Sequence, residues 1–243
     1  MMELNSEKLI SGASSFGISL SDEQLEKFGL FYERLIDVNQ NMNLTAITEW
    51  NEVILKHFLD SISLIPYLKK KGFGGEMRII DMGTGAGFPG VPLAICLPDC
   101  EFILADSLQK RVGFLEDVTH KLSLSNVLCV HGRAEDLGQE YDLRERFDLA
   151  VSRAVANAAV LSEYCLPFVK VGGTFIAYKT ESVYSEAENG KSSIGLLGGV
   201  ISDIYEFTLP GSDISRSFLN IKKVSPTPEE YPRRAGVPSK KPL

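Results

Sequence analysis

The spacing of hydrophobic residues along the chain changes near residue 76. Before that point apolar side chains recur at helical spacing, as in Phe28, Phe31 and Leu35, and they do so again from Ile54 to Ile65. After that point short apolar runs alternate with helix-like segments. The alternation predicts a mostly parallel sheet with helices on both faces, and the earlier part predicts an N-terminal helical cap.

Local signals divide the chain into three parts. Ser21 followed by Gln24 predicts a capping box at the start of a helix, and five prolines after residue 225 predict an extended tail. We therefore expect a helical cap at residues 1–75, an α/β domain at residues 76–225 and an extended basic tail at residues 226–243. Seven strands are predicted, the last two as an antiparallel hairpin, at residues 78–80, 101–105, 126–131, 147–151, 172–178, 200–209 and 217–224.

The first predicted strand leads into a glycine-rich turn. Gly83, Gly85 and Gly87 follow Asp81 at alternate positions, and glycines allow the positive φ angles and the close ligand approach that such a turn needs. A dinucleotide-binding fingerprint would need a glycine at position 88, which is Phe88. The spacing therefore disfavours an NAD-dependent oxidoreductase and is similar to the S-adenosylmethionine loop of Rossmann-like methyltransferases. An ordinary glycine turn between a strand and a helix is the alternative.

Polar residues follow the next four predicted strands at the points where these strands end. Asp106 ends the second strand, and Ala134 with Glu135 follows the third. Arg153 follows the fourth strand and Lys179 the fifth. Ligands of open α/β sheets bind at the carboxyl ends of the strands, where an acid such as Asp106 can accept hydrogen bonds from ribose hydroxyls. The third strand end can reach an adenine ring, so this constellation predicts a nucleoside cofactor.

The cysteines and histidines indicate no metal site. The four cysteines form no CxxC pair and lie in apolar contexts, so we expect free, buried thiols. His57 and Asp60 are three residues apart in a predicted helix and share one of its faces. We expect His57 to be a structural histidine that is hydrogen-bonded to a nearby carboxylate.

Basic residues are concentrated towards the C-terminus of an acidic chain. The formal net charge is −7, whereas the stretch from Arg216 onwards contains seven basic and two acidic residues. This asymmetry favours a polyanionic partner, and a solvated tail is the alternative. No apolar run reaches the roughly 18 residues of a membrane span, and the N-terminus lacks the pattern of a signal peptide. We therefore expect a cytoplasmic protein that does not bind membranes.

Motifs spread over nearly the whole chain match one family pattern, in the family's order. They are Asn43–Ile47, His57–Ser61, Asp81–Gly90, Asp106-Ser107 with Lys110-Arg111, Arg133–Glu135, Phe147-Asp148 with Ser152–Ala154, and Tyr231–Pro238. On these residues the chain resembles the RsmG (GidB) family of bacterial small-subunit ribosomal RNA guanine-N7 methyltransferases. One departure is Thr180, where the family commonly has glycine after the lysine.

The resemblance implies a class I S-adenosylmethionine-dependent methyltransferase fold and an S-adenosylmethionine cofactor. It implies a 16S ribosomal RNA substrate, free or in an assembling small subunit, and we expect a monomer without a metal ion. The resemblance implies cofactor contacts by Gly83, Phe88, Ala134, Glu135 and Arg153, with Asp106 near the ribose. We add Gly85 and Gly87, the other two glycines of the loop, to the predicted cofactor site.

The implied reaction needs few catalytic groups. Nitrogen 7 of guanine carries a lone pair and no proton, so we expect no general base and assign a positioning role to Arg153. The candidate RNA-binding residues are Lys179, Arg216, Lys222, Arg233 and Arg234. An extended basic tail would lie along a phosphate backbone, so its loss should weaken RNA binding and leave cofactor binding nearly intact. The alternative is a methyltransferase-fold RNA-binding protein that acts in ribosome assembly without catalysis.

Overall fold

One seven-stranded sheet organises the computed structural model, which describes residues 5–154, 156–180 and 182–243. Its strands are β1 (Arg78–Met82), β2 (Glu101–Asp106), β3 (Val127–His131), β4 (Phe147–Ser152), β5 (Val169–Lys179), β6 (Gly199–Thr208) and β7 (Ser215–Lys223). The strand order is β3-β2-β1-β4-β5-β7-β6. Strands β1 to β5 are parallel, and β7 runs antiparallel to both of its neighbours. The predicted fold class and the final hairpin are confirmed.

Eleven α-helices are present in the described part of the chain. They are α1 (Glu7–Ser15), α2 (Asp22–Met42), α3 (Trp50–Val53), α4 (Asp60–Ile62), α5 (Leu64–Lys70), α6 (Gly90–Cys96), α7 (Gln109–Lys121), α8 (Ala134–Leu137), α9 (Ala158–Cys165), α10 (Val183–Leu196) and α11 (Val237–Lys240). A 3-10 turn, Leu166–Phe168, leads from α9 into β5. None of the described helices is long and apolar enough to cross a membrane.

The N-terminal helices pack on one face of the sheet. The predicted capping box at α2 is confirmed: the Gln24 amide N–H donates to Ser21 Oγ at 3.2 Å, and the Ser21 amide N–H donates to Gln24 Oε1 at 2.9 Å. Phe28, Phe31 and Leu35 of α2 are fully buried, as their helical spacing predicts. These side chains share one hydrophobic cluster with α6, α7 and strand β1, while α9 and α10 pack on the opposite face. The boundaries at residues 75 and 225 stay predictions.

The second helix of the cap is not continuous. Between α3 and α4 the backbone forms a π-helical turn, Ile54–Leu59, whose wider winding was not expected from the apolar spacing. Such turns occur frequently at functional sites because they change the direction in which side chains point. His57 lies in this turn and Asp60 follows it directly.

The last part of the tail departs from the extended structure that its prolines predict. Residues Val237–Lys240 form helix α11, and Pro232 and Pro238 are buried against the body of the protein. Proline is compatible with the first turn of a helix because that turn needs no amide donor at the proline nitrogen. Pro238 occupies this position in α11.

The aromatic cluster between the cap and the sheet yields a stability prediction. Phe31 is fully buried, with ring centroids 5.8 Å from Phe58 and 5.1 Å from Phe88. We expect Phe31→Ala to lower the free energy of unfolding by about 3–5 kcal/mol, since it removes a buried aromatic ring. Leu30 is the neighbouring residue of the same helix and is 38 % exposed, so Leu30→Ala should cost about 0.5 kcal/mol or less. Urea denaturation measures both, and similar losses would contradict the packing.

Candidate functional site

The glycine-rich turn after β1 has the backbone conformation that its sequence predicts. Gly83, Gly85 and Gly87 have φ angles of +72°, +62° and +91°. The Gly83 amide N–H donates to the Ala105 carbonyl at 2.9 Å, which holds the turn against the end of β2. A Cβ atom on Gly87 would lie 2.7 Å from Val91 Cγ2, so this glycine is also required for packing.

Asp81 connects the turn to the helix that follows it. The carboxylate is fully buried, and its Oδ2 accepts hydrogen bonds from Thr84 Oγ1 at 2.7 Å and from the Gly90 amide N–H at 2.8 Å. A Cβ atom on Gly90 would lie 2.2 Å from Leu104 Cδ2, so only glycine lets α6 approach the carboxylate this closely. Burial raises the pKa of Asp81 to about 6, although both donors favour the ionised form.

A cavity of about 410 Å³ opens beside this turn, at the carboxyl ends of β1 to β4. Gly83, Asp106, Ala134 and Glu135 of the predicted cofactor site line it. Asp106 is 3 % exposed and lines the cavity while its Oδ2 accepts the Gly85 amide N–H at 3.0 Å. The volume lies within the range of small-molecule sites.

The Asp106 carboxylate keeps acceptor capacity for a ligand. Its Oδ1 accepts the Leu108 amide N–H at 2.9 Å, and the Arg111 guanidinium lies 3.4 Å from Oδ2. An ionised carboxylate has about four lone-pair sites, so these contacts do not exhaust it. The residues around the cavity therefore fit the ribose of a nucleoside cofactor.

Two residues of the tail, Gly236 and Ser239, also line this cavity. Glu135 Oε1 accepts the Gly236 amide N–H at 2.8 Å, so a predicted cofactor residue is bonded to the tail. No local sequence signal indicated this, because about 100 residues separate the two partners in the chain. That loss of the tail leaves cofactor binding nearly intact stays a prediction, although the tail reaches this cavity.

A second cavity of about 770 Å³ adjoins the first, and Ala154 lines both. Arg153 lines this second cavity rather than the first. Its guanidinium donates to Asp60 Oδ2 at 2.9 Å, and Arg216 Nε donates to the other oxygen of the same carboxylate at 2.9 Å. Asp60 is 3 % exposed and thus holds two arginines at the cavity wall.

His57 contacts Arg153 and not the carboxylate that the helical spacing suggested. Arg153 Nη2 lies 3.3 Å from His57 Nδ1, and Thr45 Oγ1 lies 2.9 Å from His57 Nε2. His57 Nδ1 also lies 3.1 Å from the Lys56 carbonyl oxygen, so both ring nitrogens have polar neighbours. Arg153 is therefore the residue that joins His57 to Asp60.

Phe88 lies outside the residues that line the first cavity. Its ring is 6 % exposed and stacks on His57, with centroids 4.5 Å apart, while the Arg153 guanidinium lies 5.1 Å from its centre. The Phe88 side chain thus packs against His57 and Arg153, two residues that line the second cavity. Direct contact of Phe88 with the cofactor stays a prediction, as it does for Arg153, Gly85 and Gly87.

The predicted RNA-binding residues do not form one surface. Lys179 and Arg216 line the second cavity, together with Thr180, the position that departs from the family pattern. The Lys179 ammonium is held by the Ala156 carbonyl and Glu186, both at 2.6 Å. Arg234 is exposed on the tail.

Two of these residues are placed away from such a role. Lys222 pairs with Thr174 in the sheet and donates to the Gly172 carbonyl, at the amino end of β5, whereas the cavities lie at the carboxyl end. Arg233 forms a two-point ion pair with the buried Glu163, with contacts of 2.9 and 2.6 Å. The charge of Arg233 is therefore paired within the protein. An RNA contact by Lys222 or Arg233 stays a prediction.

No group of three or more metal-ligating side chains lies together among the residues with described positions. Cys100 and Cys165 are buried free thiols, and Cys96 and Cys129 are partly buried free thiols. Burial raises the pKa of Cys96 to about 12 and that of Cys129 to about 11.

The sheet order and the cavity at its carboxyl edge define a class I S-adenosylmethionine-dependent methyltransferase. Solved structures with this fold include the CMeT domain of a citrinin polyketide synthase, with a TM-score of 0.53 and 14 % identity over 79 % of this chain and 56 % of that one. A mutant 16S rRNA (adenine(1408)-N(1))-methyltransferase from Catenulisporales acidiphilia has a TM-score of 0.50 and 15 % identity over 67 % of this chain and 92 % of that one.

The family is identified by sequence comparison. Residues 24–213 match the model of GidB, rRNA small subunit methyltransferase G. The ribosomal RNA small subunit methyltransferase G of Acetivibrio thermocellus is 53 % identical over 97 % of this chain and 95 % of that protein. The protein of that name from Bacillus cytotoxicus is 48 % identical over 99 % of both chains. The chain belongs to the GidB family, and the predicted family is confirmed.

The environment of His57 generates a prediction about pH. Burial and the Arg153 guanidinium lower the pKa of His57 to about 4. Between pH 6.5 and 4 the unfolded chain therefore binds a proton that the folded chain excludes, so the contribution of His57 to stability is lost as the pH falls. From pH 7 to pH 5 we expect the free energy of unfolding to fall by about 1–2 kcal/mol more in the unsubstituted protein than in His57→Gln. Urea denaturation at both pH values measures this difference, and equal falls would contradict a neutral His57.

Proposed function

We propose that this protein transfers the methyl group of S-adenosylmethionine to nitrogen 7 of a guanine in 16S ribosomal RNA. The cofactor binds in the first cavity and the guanine nucleotide in the second. The observation that carries the proposal is that these cavities adjoin at Ala154. A ligand in one cavity can therefore lie next to a ligand in the other. We further propose that it acts as a monomer in the cytoplasm, on free 16S RNA or on an assembling small subunit.

The charges of the second cavity favour a nucleotide with its phosphate groups. Among the described residues, four cationic side chains and two carboxylates line it: Lys56, Arg153, Lys179 and Arg216, with Asp60 and Glu186. Two arginines share the single charge of Asp60, so this cluster retains positive charge. A guanidinium offers several N–H donors in one plane and suits the oxygens of a phosphate. The surplus positive charge of the cavity therefore favours binding of RNA over binding of a cationic substrate.

The arrangement of Arg153 supports a positioning role. Its guanidinium is held by Asp60, by the Lys56 carbonyl at 3.2 Å and by stacking on Phe88, so its orientation is fixed before a substrate arrives. Fixed orientation can contribute roughly 7–11 kcal/mol to a reaction between two bound groups. We propose that Arg153 holds the guanine near Ala154, with its nitrogen 7 towards the first cavity.

The second cavity needs no proton acceptor for this reaction. S-adenosylmethionine supplies an electrophilic methyl group, and guanine nitrogen 7 attacks with a lone pair that carries no proton. His57 is neutral at pH 7 because its pKa is lowered to about 4, so it is a weak base there. Its contacts with Arg153 and Thr45 give it a structural task instead.

The proposed function is tested by transfer of a labelled methyl group. Small ribosomal subunits and deproteinised 16S RNA from cells that lack this protein are incubated with the purified protein and labelled S-adenosylmethionine. We expect 7-methylguanosine in the RNA digest from at least one substrate, and the difference between the two shows which form is recognised. Specific cofactor binding without methyl transfer to either substrate would favour the alternative, an RNA-binding protein without catalysis.

Asp60 offers a test of the second cavity. Asp60→Asn keeps the size of the side chain but removes the charge that holds Arg153 and Arg216. We expect methyl transfer to fall by about tenfold or more, as for loss of a charge-assisted contact, while cofactor affinity is unchanged. Asp37→Asn is the control, since Asp37 pairs with Arg34 on the cap, away from both cavities. Equal effects of the two substitutions would remove Asp60 from the substrate site.

A further inference from the structure

The tail reaches the first cavity and lines part of it. Residues 226–243 follow strand β7 and pass along helices α8 and α9 until Gly236 and Ser239 reach the cavity, which Gly83 and Asp106 also line. Pro238, between the two lining residues, is buried. The cavity therefore has a wall built from the sheet and a second wall built from the tail.

The first part of the tail is held by a single arginine. Arg144 Nη1 donates to the carbonyls of Gly138 and Tyr231, both at 2.8 Å, and its Nη2 donates to the Thr227 carbonyl at 2.9 Å and the Pro228 carbonyl at 3.1 Å. One guanidinium thus satisfies three carbonyl groups of the tail. Hydrogen bonds from a charged donor are stronger than those between neutral groups, so this segment has a fixed path.

The next part of the tail is held by an ion pair and by close packing. Both oxygens of the buried Glu163 contact the Arg233 guanidinium, and Glu163 Oε1 also accepts the Arg233 amide N–H at 2.8 Å. A Cβ atom on Gly138 would lie 2.8 Å from the Pro232 ring, so the tail fits closely against α8. These contacts bring the chain to the edge of the cavity.

Gly236 turns the tail into the cavity. Its φ angle of +79° directs its amide N–H to Glu135 Oε1, and no heavy atom lies within 4 Å of the position of an added Cβ. Tyr164 also lines the cavity near this contact. The pKa of Tyr164 is raised, mainly by burial and next by the negative charge of Glu135. The carboxylate of Glu135 thus connects the sheet wall to the tail wall.

We propose that residues 236–239 are part of the S-adenosylmethionine site and contact the nucleoside end of the cofactor. This inference rests on the proposed function, because it takes the first cavity as the cofactor site. The tail meets the cavity at Glu135, after the third strand, where an open α/β sheet reaches the base of a nucleotide, whereas Gly83 lies at the first strand. The hydrogen bond between Gly236 and Glu135 keeps this wall in place.

The test compares two glycines with the same backbone strain. Gly236→Ala and Gly211→Ala both place alanine at a positive φ, +79° and +68°, and neither added Cβ meets an atom within 4 Å. Gly211 lies in the turn between β6 and β7 and lines neither cavity. Isothermal titration calorimetry measures the affinity of each variant for S-adenosylmethionine and S-adenosylhomocysteine, and thermal unfolding without ligand measures its Tm.

We expect Gly236→Ala to weaken both ligands by the same factor, about three- to tenfold, because both carry the same nucleoside. Gly211→Ala should bind as the unsubstituted protein does, with a similar fall in Tm. Arg233→Lys, which breaks the two-point contact with Glu163 outside the cavity, should also weaken both ligands. Unchanged affinity in Gly236→Ala, or equal losses in the two glycine variants, would overturn the inference.

The binding measurement also separates this inference from the proposed function. If the unsubstituted protein binds S-adenosylmethionine and Gly236→Ala weakens it, the inference stands even when no RNA is methylated. If the unsubstituted protein binds neither ligand, both the proposed function and the inference are wrong.

Discussion

The buried carboxylate of Asp81 is the constraint on which the site depends. Its oxygen Oδ2 binds the turn through Thr84 and the start of α6 through Gly90, so the glycine-rich turn has one path from strand to helix. That path leaves Gly83 at the cavity wall and directs the Gly85 amide to Asp106. A buried carboxylate is costly unless donors satisfy it, which is why the turn and the helix must stay close to it.

The parts of the fold that the sequence predicted are those with local causes. Apolar spacing marks strands and helices, the Ser21 capping box marks the start of α2, and glycine spacing marks the turn, because each signal acts over a few residues. The acid at the end of β2 and the residues after β3 meet because parallel strands share one edge. This explains why Asp106 and Glu135 were predicted to lie together.

The parts that could not be predicted depend on contacts between distant segments. Arg153 and Asp60 are 93 positions apart, and no periodic pattern links them. The prolines of the tail indicated extended backbone, but Arg144 and Glu163 hold that backbone on the protein and allow a helical turn at Pro238. The π-helical turn before Asp60 is a further case, because apolar spacing alone is equally compatible with an ordinary helix.

The strand order has a consequence for the nascent chain. Strand β6 is synthesised before β7, yet β7 is its sole neighbour in the described sheet and the only link between β6 and β5. Strand β6 therefore cannot join the sheet until β7 has been synthesised. Residues 236–239 emerge from the ribosome later than every strand. The last strand therefore leaves the ribosome before the segment that forms the tail wall of the first cavity.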